Sequence, residues 1–200
     1  MKLITYVLSI VFIAGCSKND SSQQDKIPAT GQNEMLQQQN TGTTPNAVAG
    51  IVWTIPGRWK VEGDRPMRTA TYSIPPANGN SEAGECAVFY FGNGQGGNPE
   101  MNIARWVAQF ENPTTRARSS KDVNGMKVEL LQIEGTYLAP AGPMMESQGK
   151  KNNYRLLGAI VPAPEGSVFF KFTGPRETVG AAENEFNEMI NSLARHPQSM

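Results

Sequence analysis

The chain has 200 residues, with 18 basic and 18 acidic side chains and a single histidine. The balanced charge, with no basic stripe, argues against nucleic acid as a partner. Two cysteines, Cys16 and Cys86, leave no intramolecular disulfide once the first is committed elsewhere, so stability has to come from a packed core.

The N-terminus reads as a targeting segment. Lys2 gives a short positive start, Leu3–Ile13 is a predominantly apolar run of 11 residues, and Ile13-Ala14-Gly15-Cys16 has the form of a lipobox. As a helix the apolar run would span about 20 Å, short of the roughly 30 Å hydrocarbon core. It therefore reads as a cleaved signal over residues 1–15. The Cys16 thiol is the group that a diacylglycerol thioether requires, and further acylation with palmitate-like chains would make the attachment firm, at about 0.8 kcal/mol per buried CH₂. The expected product is a lipoprotein anchored to a membrane of a bacterial cell envelope. Ser17 in place of Asp favours the periplasmic face of the outer membrane in a Gram-negative cell.

Residues 16–48 carry the lipidated cysteine and a linker rich in Ser, Gln, Asn and Thr. Such a composition buries too little apolar surface to offset its ordering entropy, which predicts disorder. Residues 49–197 are expected to form one domain. Ile51–Val61 opens it with two short strands about Pro56-Gly57, and Trp53 and Trp59 are placed at a core edge or, as candidates, against a ligand. Met67–Ile74 alternates as a strand, with Arg68, Ala70, Tyr72 and Ile74 on one face. Glu85–Phe91 is apolar on both faces, which predicts a central strand covered on both sides.

A glycine loop follows, and then a helix over about Pro99–Glu111. Asn98 is its N-cap, Pro99 its first residue, and Ile103, Trp106, Val107 and Phe110 its stripe. Gly92, Gly94 and Gly97 match G-x-G-x-x-G, a pattern that can cradle a dinucleotide. That use requires a following parallel strand ending in an acidic residue about 20 residues on. Here Ala117 stands between Arg116 and Arg118, and Glu100 would repel phosphate from the helix start. The glycines read instead as positions of positive φ in a wide turn, with Gly94, Gly96 and Gly97 as candidate contacts to a partner.

Thr115–Asp122 and Met126–Glu134 flank Asn124-Gly125 as a hairpin. Tyr137–Lys151 lacks periodicity and reads as a mobile loop. Its Tyr137, Met144 and Met145 are candidate apolar contacts. Glu129 and Glu134 are expected to face solvent. Tyr154–Val161 and Ser167–Thr173 are further strands, and a last helix over about Arg176–Arg195 buries Val179, Ala182, Phe186, Met189, Ile190 and Leu193. The expected class is α+β: an antiparallel sheet of about six strands with two main helices.

The opening Trp53-Thr54-Ile55-Pro56-Gly57-Arg58-Trp59 and the closing strand and helix from Val168 through Phe170-Lys171-Phe172-Thr173-Gly174-Pro175 to Leu193 resemble the PsbP-like (PsbP/DcrB-type) domains. The FGNGQGGN and NIARWVAQF stretches are similar to those of bacterial lipoproteins. The resemblance implies a non-catalytic assembly or binding factor. The lipobox, the reach of the linker and the lack of a catalytic constellation make a protein of the envelope the expected partner, and a small-ligand-binding module using Trp53, Trp59 and the glycine loop is the alternative. No enzyme, cofactor or metal site is expected: Cys86 sits in an apolar strand, His196 lies at the end of the last helix, and no His/Cys cluster occurs.

Overall fold

The computed structural model describes residues 46–77, 79–142 and 145–196. The signal segment, Cys16, almost the whole linker and Met144 lie outside the described residues. The elements, in order, are β1 (Ala47–Val48), β2 (Ile51–Val52), β3 (Lys60–Val61), β4 (Ala70–Ile74), β5 (Gly84–Tyr90), α1 (Pro99–Val107), β6 (Phe110–Val123) and β7 (Met126–Gly142). Then come β8 (Met145–Ala163), β9 (Gly166–Pro175), α2 (Arg176–Ala181), α3 (Glu183–Asn191) and β10 (Ala194–Arg195). The fold is α+β. Among the described residues one seven-stranded sheet runs β3-β4-β5-β9-β8-β7-β6, and a small sheet runs β1-β2-β10. Every pairing is antiparallel.

The large sheet has a core on each face. On one, Cys86 and Val88 of β5, Leu157 and Ala159 of β8 and Phe170 and Phe172 of β9 pack with Phe186, Met189 and Ile190 of α3. On the other, Leu156 and Ile160 of β8 and Phe169 of β9 pack with Ile103 and Trp106 of α1. This is why β5 and β8 read as apolar on both sides. Each large side chain removed from water contributes about 1.5–3 kcal/mol, so the central strands carry much of the stability.

Local chemistry sets the element ends. The Asn98 side chain accepts from the Met101 N–H at 2.9 Å and caps α1 with Pro99 in its first turn. The helix stops at Val107, earlier than its stripe suggests, because Phe110 already pairs with Tyr137 as the first residue of β6. Pro113 therefore falls in an edge strand, at an irregularity between Glu111 and Thr115, where no ladder partner is needed on its open side. At the C-terminal end, the stripe from Val179 to Leu193 is buried as expected, but the chain breaks at Ala182 (φ −105°, ψ 6°) into α2 and α3. Arg195 and His196 are not helical: Arg195 pairs with Ile51, and the His196 N–H donates to the Gly50 carbonyl at 2.8 Å.

The two strands of the opening segment do not pair with each other. β2 joins the small sheet and β3 the large one, while the turn between them closes from the Pro56 carbonyl to the Trp59 N–H at 2.9 Å. Arg68 also departs from its expected face. The strand begins only at Ala70, and the Arg68 guanidinium lies 5.9 Å from the centre of the Phe89 ring, on the α1 side. Tyr137–Lys151 is not a free loop. Tyr137–Gly142 ends β7, and Met145–Lys151 begins β8. The segment's backbone pairs as strand although its sequence carries no hydrophobic alternation, so periodicity does not mark it.

Candidate functional site

Trp53 and Trp59 are 2% and 5% exposed. The Trp53 indole stands edge-on to Phe170, centroids 5.0 Å apart, and its N–H donates to the Tyr72 hydroxyl at 2.9 Å. Trp59 packs 5.4 Å from Phe172 and donates to Glu185 at 2.7 Å. Both indoles have their polar edge satisfied inside the α3-side core, so they are core residues and not ligand-stacking surfaces. They lie on the face opposite to the glycine loop, and the structure does not bring those two candidate groups together.

The glycine loop leaves β5 at its C-terminal end. Gly92, Gly94, Gly96 and Gly97 all have φ between 69° and 98°, the left-handed region a side chain resists. A Cβ on Gly96 would stand 2.7 Å from the Phe91 ring and 3.1 Å from Phe169. The loop is tied down rather than slack. Asn102, 3% exposed on α1, donates to the Gly96 carbonyl at 2.7 Å and to the Asn98 carbonyl at 3.0 Å. Asn93, Gly94, Gln95 and Gly97 are exposed. The loop presents a fixed rim and does not cradle phosphate: α1 begins after it with Glu100, which is held by Arg118 at 2.6 Å.

The other end of the α1-side face carries the polar chemistry. Lys171 is on β9, opposite Ala87 of β5 and Gly158 of β8. Both neighbours are small, and a Cβ at Gly158 would meet the Trp106 ring at 2.5 Å, so the indole lies over that position. The Lys171 ammonium donates to Gln109 Oε1 at 2.6 Å and to the Tyr137 hydroxyl at 3.1 Å. Burial, reinforced by the Arg68 charge and opposed by Glu85, pushes the Lys171 amine down to about 8. Tyr137 is 7% exposed, so it too is a core residue and not an exposed apolar group. Its ring stacks on Tyr154, centroids 5.6 Å apart and 3° from parallel. Burial raises both phenols to about 12. Tyr154 donates to Glu82, which is also paired with Lys151. Burial works against the Glu82 carboxylate, but these two partners hold it below its usual range.

Above this cluster β7 and β8 outrun the rest of the sheet. β6 stops pairing with β7 at Tyr137, and β9 stops pairing with β8 at Tyr154. Beyond them the ladder has two strands, with Leu138 opposite Lys150, Pro140 opposite Ser147 and Gly142 opposite Met145. The backbone of Met145 thus belongs to this ribbon, while Met144 lies outside the described residues. Lys171, Arg68, Gln109 and Asn102 were not singled out by sequence reasoning. The available signal was Lys171 itself, a cation between Phe170 and Phe172 in an otherwise apolar strand.

No family model matches the chain, and no curated protein matches its sequence. Two solved structures are similar to it. PA94 of Pseudomonas aeruginosa, a protein of unknown function, is 12% identical, with 70% of this chain and 99% of that one covered and a TM-score of 0.42. The solution structure of cyanobacterial PsbP (CyanoP) from Synechocystis sp. PCC 6803 is 9% identical, with 75% and 95% covered and a TM-score of 0.41. A PsbP structure is thus among the similar solved structures, as the residue patterns led one to expect. At these scores the likeness is one of general layout and says nothing of activity.

Among the described residues no group of three or more His, Cys, Asp or Glu side chains could hold a metal ion, and no helix is long and apolar enough to cross a membrane. Cys86 is fully buried, and burial pushes its thiol well above the ordinary range, the opposite of what a nucleophile needs. Glu134 does not face solvent. Its side chain is 12% exposed and lies 3.3 Å from Arg155 and 3.4 Å from Arg176.

Proposed function

We propose that this is a lipid-anchored protein of the bacterial cell envelope that works by binding another protein rather than by catalysis. The observation that carries this reading is the two-stranded ribbon of β7 and β8 beyond Tyr137 and Tyr154. A lone two-stranded ribbon is marginal in water, and its outer edges offer backbone donors and acceptors to a further strand. A partner that pairs with it would supply the missing neighbour. The lipobox at Ile13–Cys16 and the polar linker support the same reading, since a tether confines the domain near a membrane while letting it search. Burial of Trp53 and Trp59 removes the aromatic surface on which the small-ligand alternative relied.

The test replaces residues 139–149 by Asn-Gly, closing the hairpin from Leu138 to Lys150. Crosslinking and affinity capture from envelopes containing this variant and the parent are then compared. The expected result is loss of a specific protein recovered with the parent, with a melting temperature within a few degrees of it. Equal recovery from both proteins would sink the ribbon as the binding element.

A further inference from the structure

The link between β3 and β4 contains a turn that breaks a local rule. The Arg68 N–H donates to the Arg65 carbonyl at 3.2 Å, Pro66 takes the second position and Met67 the third, with φ 63°. A type II turn wants Gly or Asn at that third position. Met67 accepts the strained backbone and yet gains no burial, since it is 59% exposed. A strained, exposed apolar side chain with no folding role points to a contact.

The turn carries its methionine between two cations. Arg65 and Arg68 reach the same carboxylate, Glu85, at 2.7 and 2.9 Å. Arg68 lies over the Phe89 ring, and Lys171 adds a third cation to this neighbourhood: it stands opposite Ala87, between Glu85 and Phe89 on one face of β5. Its own hydrogen-bond acceptors, Gln109 Oε1 and the Tyr137 hydroxyl, are uncharged, and among the described residues no carboxylate lies within ion-pair distance of it. Arg65 and Arg68 thus share one partly exposed acid, and Lys171, the buried member of the three, has no acid of its own at ion-pair distance, where an uncompensated charge is costly. The nearby Glu82 is already matched by Lys151. A groove of about 220 Å³ lined by Val61–Arg65 and Arg68–Thr71 adjoins the two arginines. It also holds Glu62, paired with Lys60 at 3.3 Å, and Asp64.

We infer that Arg65, Arg68 and Lys171 receive an acidic side chain of the protein partner, and that Met67 and Phe89 contact an apolar residue next to it. The inference rests on the partner-binding reading, and Tyr137 makes the two surfaces continuous: it pairs with Phe110 and Lys151 at the root of the ribbon and bonds Lys171 with its hydroxyl. An incoming carboxylate supplies the counter-charge that Lys171 lacks, and the guanidinium of Arg68 can share it with Glu85.

The probes are two peptides, acetyl-Leu-Glu-amide and acetyl-Leu-Gln-amide, titrated into the isotope-labelled full-length chain in detergent micelles. Side-chain resonances of Lys171 and Arg68 are followed. The Glu peptide should bind with a dissociation constant on the order of 1 mM and the Gln peptide about tenfold more weakly. Lys171→Met and Arg68→Gln should each weaken the Glu peptide roughly fivefold, the scale of one charge-assisted contact. Met67→Gly, which relaxes the turn, should raise the melting temperature and weaken both peptides. Equal affinity for the two peptides, or binding indifferent to Lys171→Met and Arg68→Gln, would overturn the site. Binding of acetyl-leucine with a free carboxylate, and none of the Glu peptide, would overturn the side-chain assignment. If the ribbon variant still recovers a partner while the Glu peptide binds, the partner reading of the ribbon fails and the site stands.

Discussion

Lys171 is a base whose folded pKa, about 8, lies below its unfolded value of about 10.4. Between those limits the unfolded chain binds more protons, so stability rises with pH. Below about pH 8 the penalty for burying the ammonium is fully present and constant. Lys171→Met keeps the length of the side chain and removes the charge. The variant should equal or exceed the parent in urea midpoint at pH 7, and the difference should shift in favour of the parent between pH 8 and 10. A difference that does not change with pH would show that Lys171 is not held as an uncompensated cation. Single-residue features of this kind were only partly legible in the sequence. Asn98 as an N-cap and the positive φ of Gly94, Gly96 and Gly97 follow from local stereochemistry, which needs no knowledge of the fold. The partners of Lys171 come from β7 and from the turn after α1, and no local rule brings Gln109, Tyr137 and Lys171 together.

At the scale of elements, what was legible is the set of strands with committed faces. β5, β8 and β9 announced themselves because both of their sides are buried. The ribbon did not, because alternation is what marks a strand in a sequence and Tyr137–Lys151 shows none. The last helix was read as one because its stripe continues through Ala182, although the backbone turns there. An ion network joins the elements around that break. Arg155 of β8, 8% exposed, lies 3.3 Å from Glu134 of β7 and 2.9 Å from Glu183 at the start of α3, while Arg176 of α2 reaches Glu134 at 3.4 Å. Removing one member of a buried network strands the others, at roughly 3–5 kcal/mol. Arg155→Ala should therefore destabilise the domain by about 3 kcal/mol in urea unfolding. Arg176→Ala, at a side chain 61% exposed, should change stability by less than about 1 kcal/mol. A loss below about 1 kcal/mol for Arg155→Ala would mean that the network does not hold α2 and α3 to the sheet.

For the whole molecule, the α+β class and the antiparallel order followed from hairpin-sized turns between apolar strands. The seventh strand of the large sheet and the separate small sheet did not, because β1, β2, β3 and β10 are two residues long each. Such strands are defined by their partners and not by their composition. The targeting signal is of a different kind, a lipobox that lies in order along the chain. Mass spectrometry of the N-terminal peptide from membranes should find Cys16 as the first residue, carrying diacylglycerol. An uncleaved or unmodified Cys16 would refute the anchor without touching the fold.

The small sheet has a consequence for the order in which the molecule can be finished. Ile51 and Val52 of β2 pair with β1 on one side and with Ala194 and Arg195 of β10 on the other. The two flanks of one strand thus come from opposite ends of the folded region. A chain emerging from its N-terminus exposes β2 half-paired for almost the whole of its synthesis. Contacts this distant along the chain form slowly and last. β2 is therefore complete only when both ends of the domain are in place, and a truncation before Ala194 would leave it paired with β1 alone.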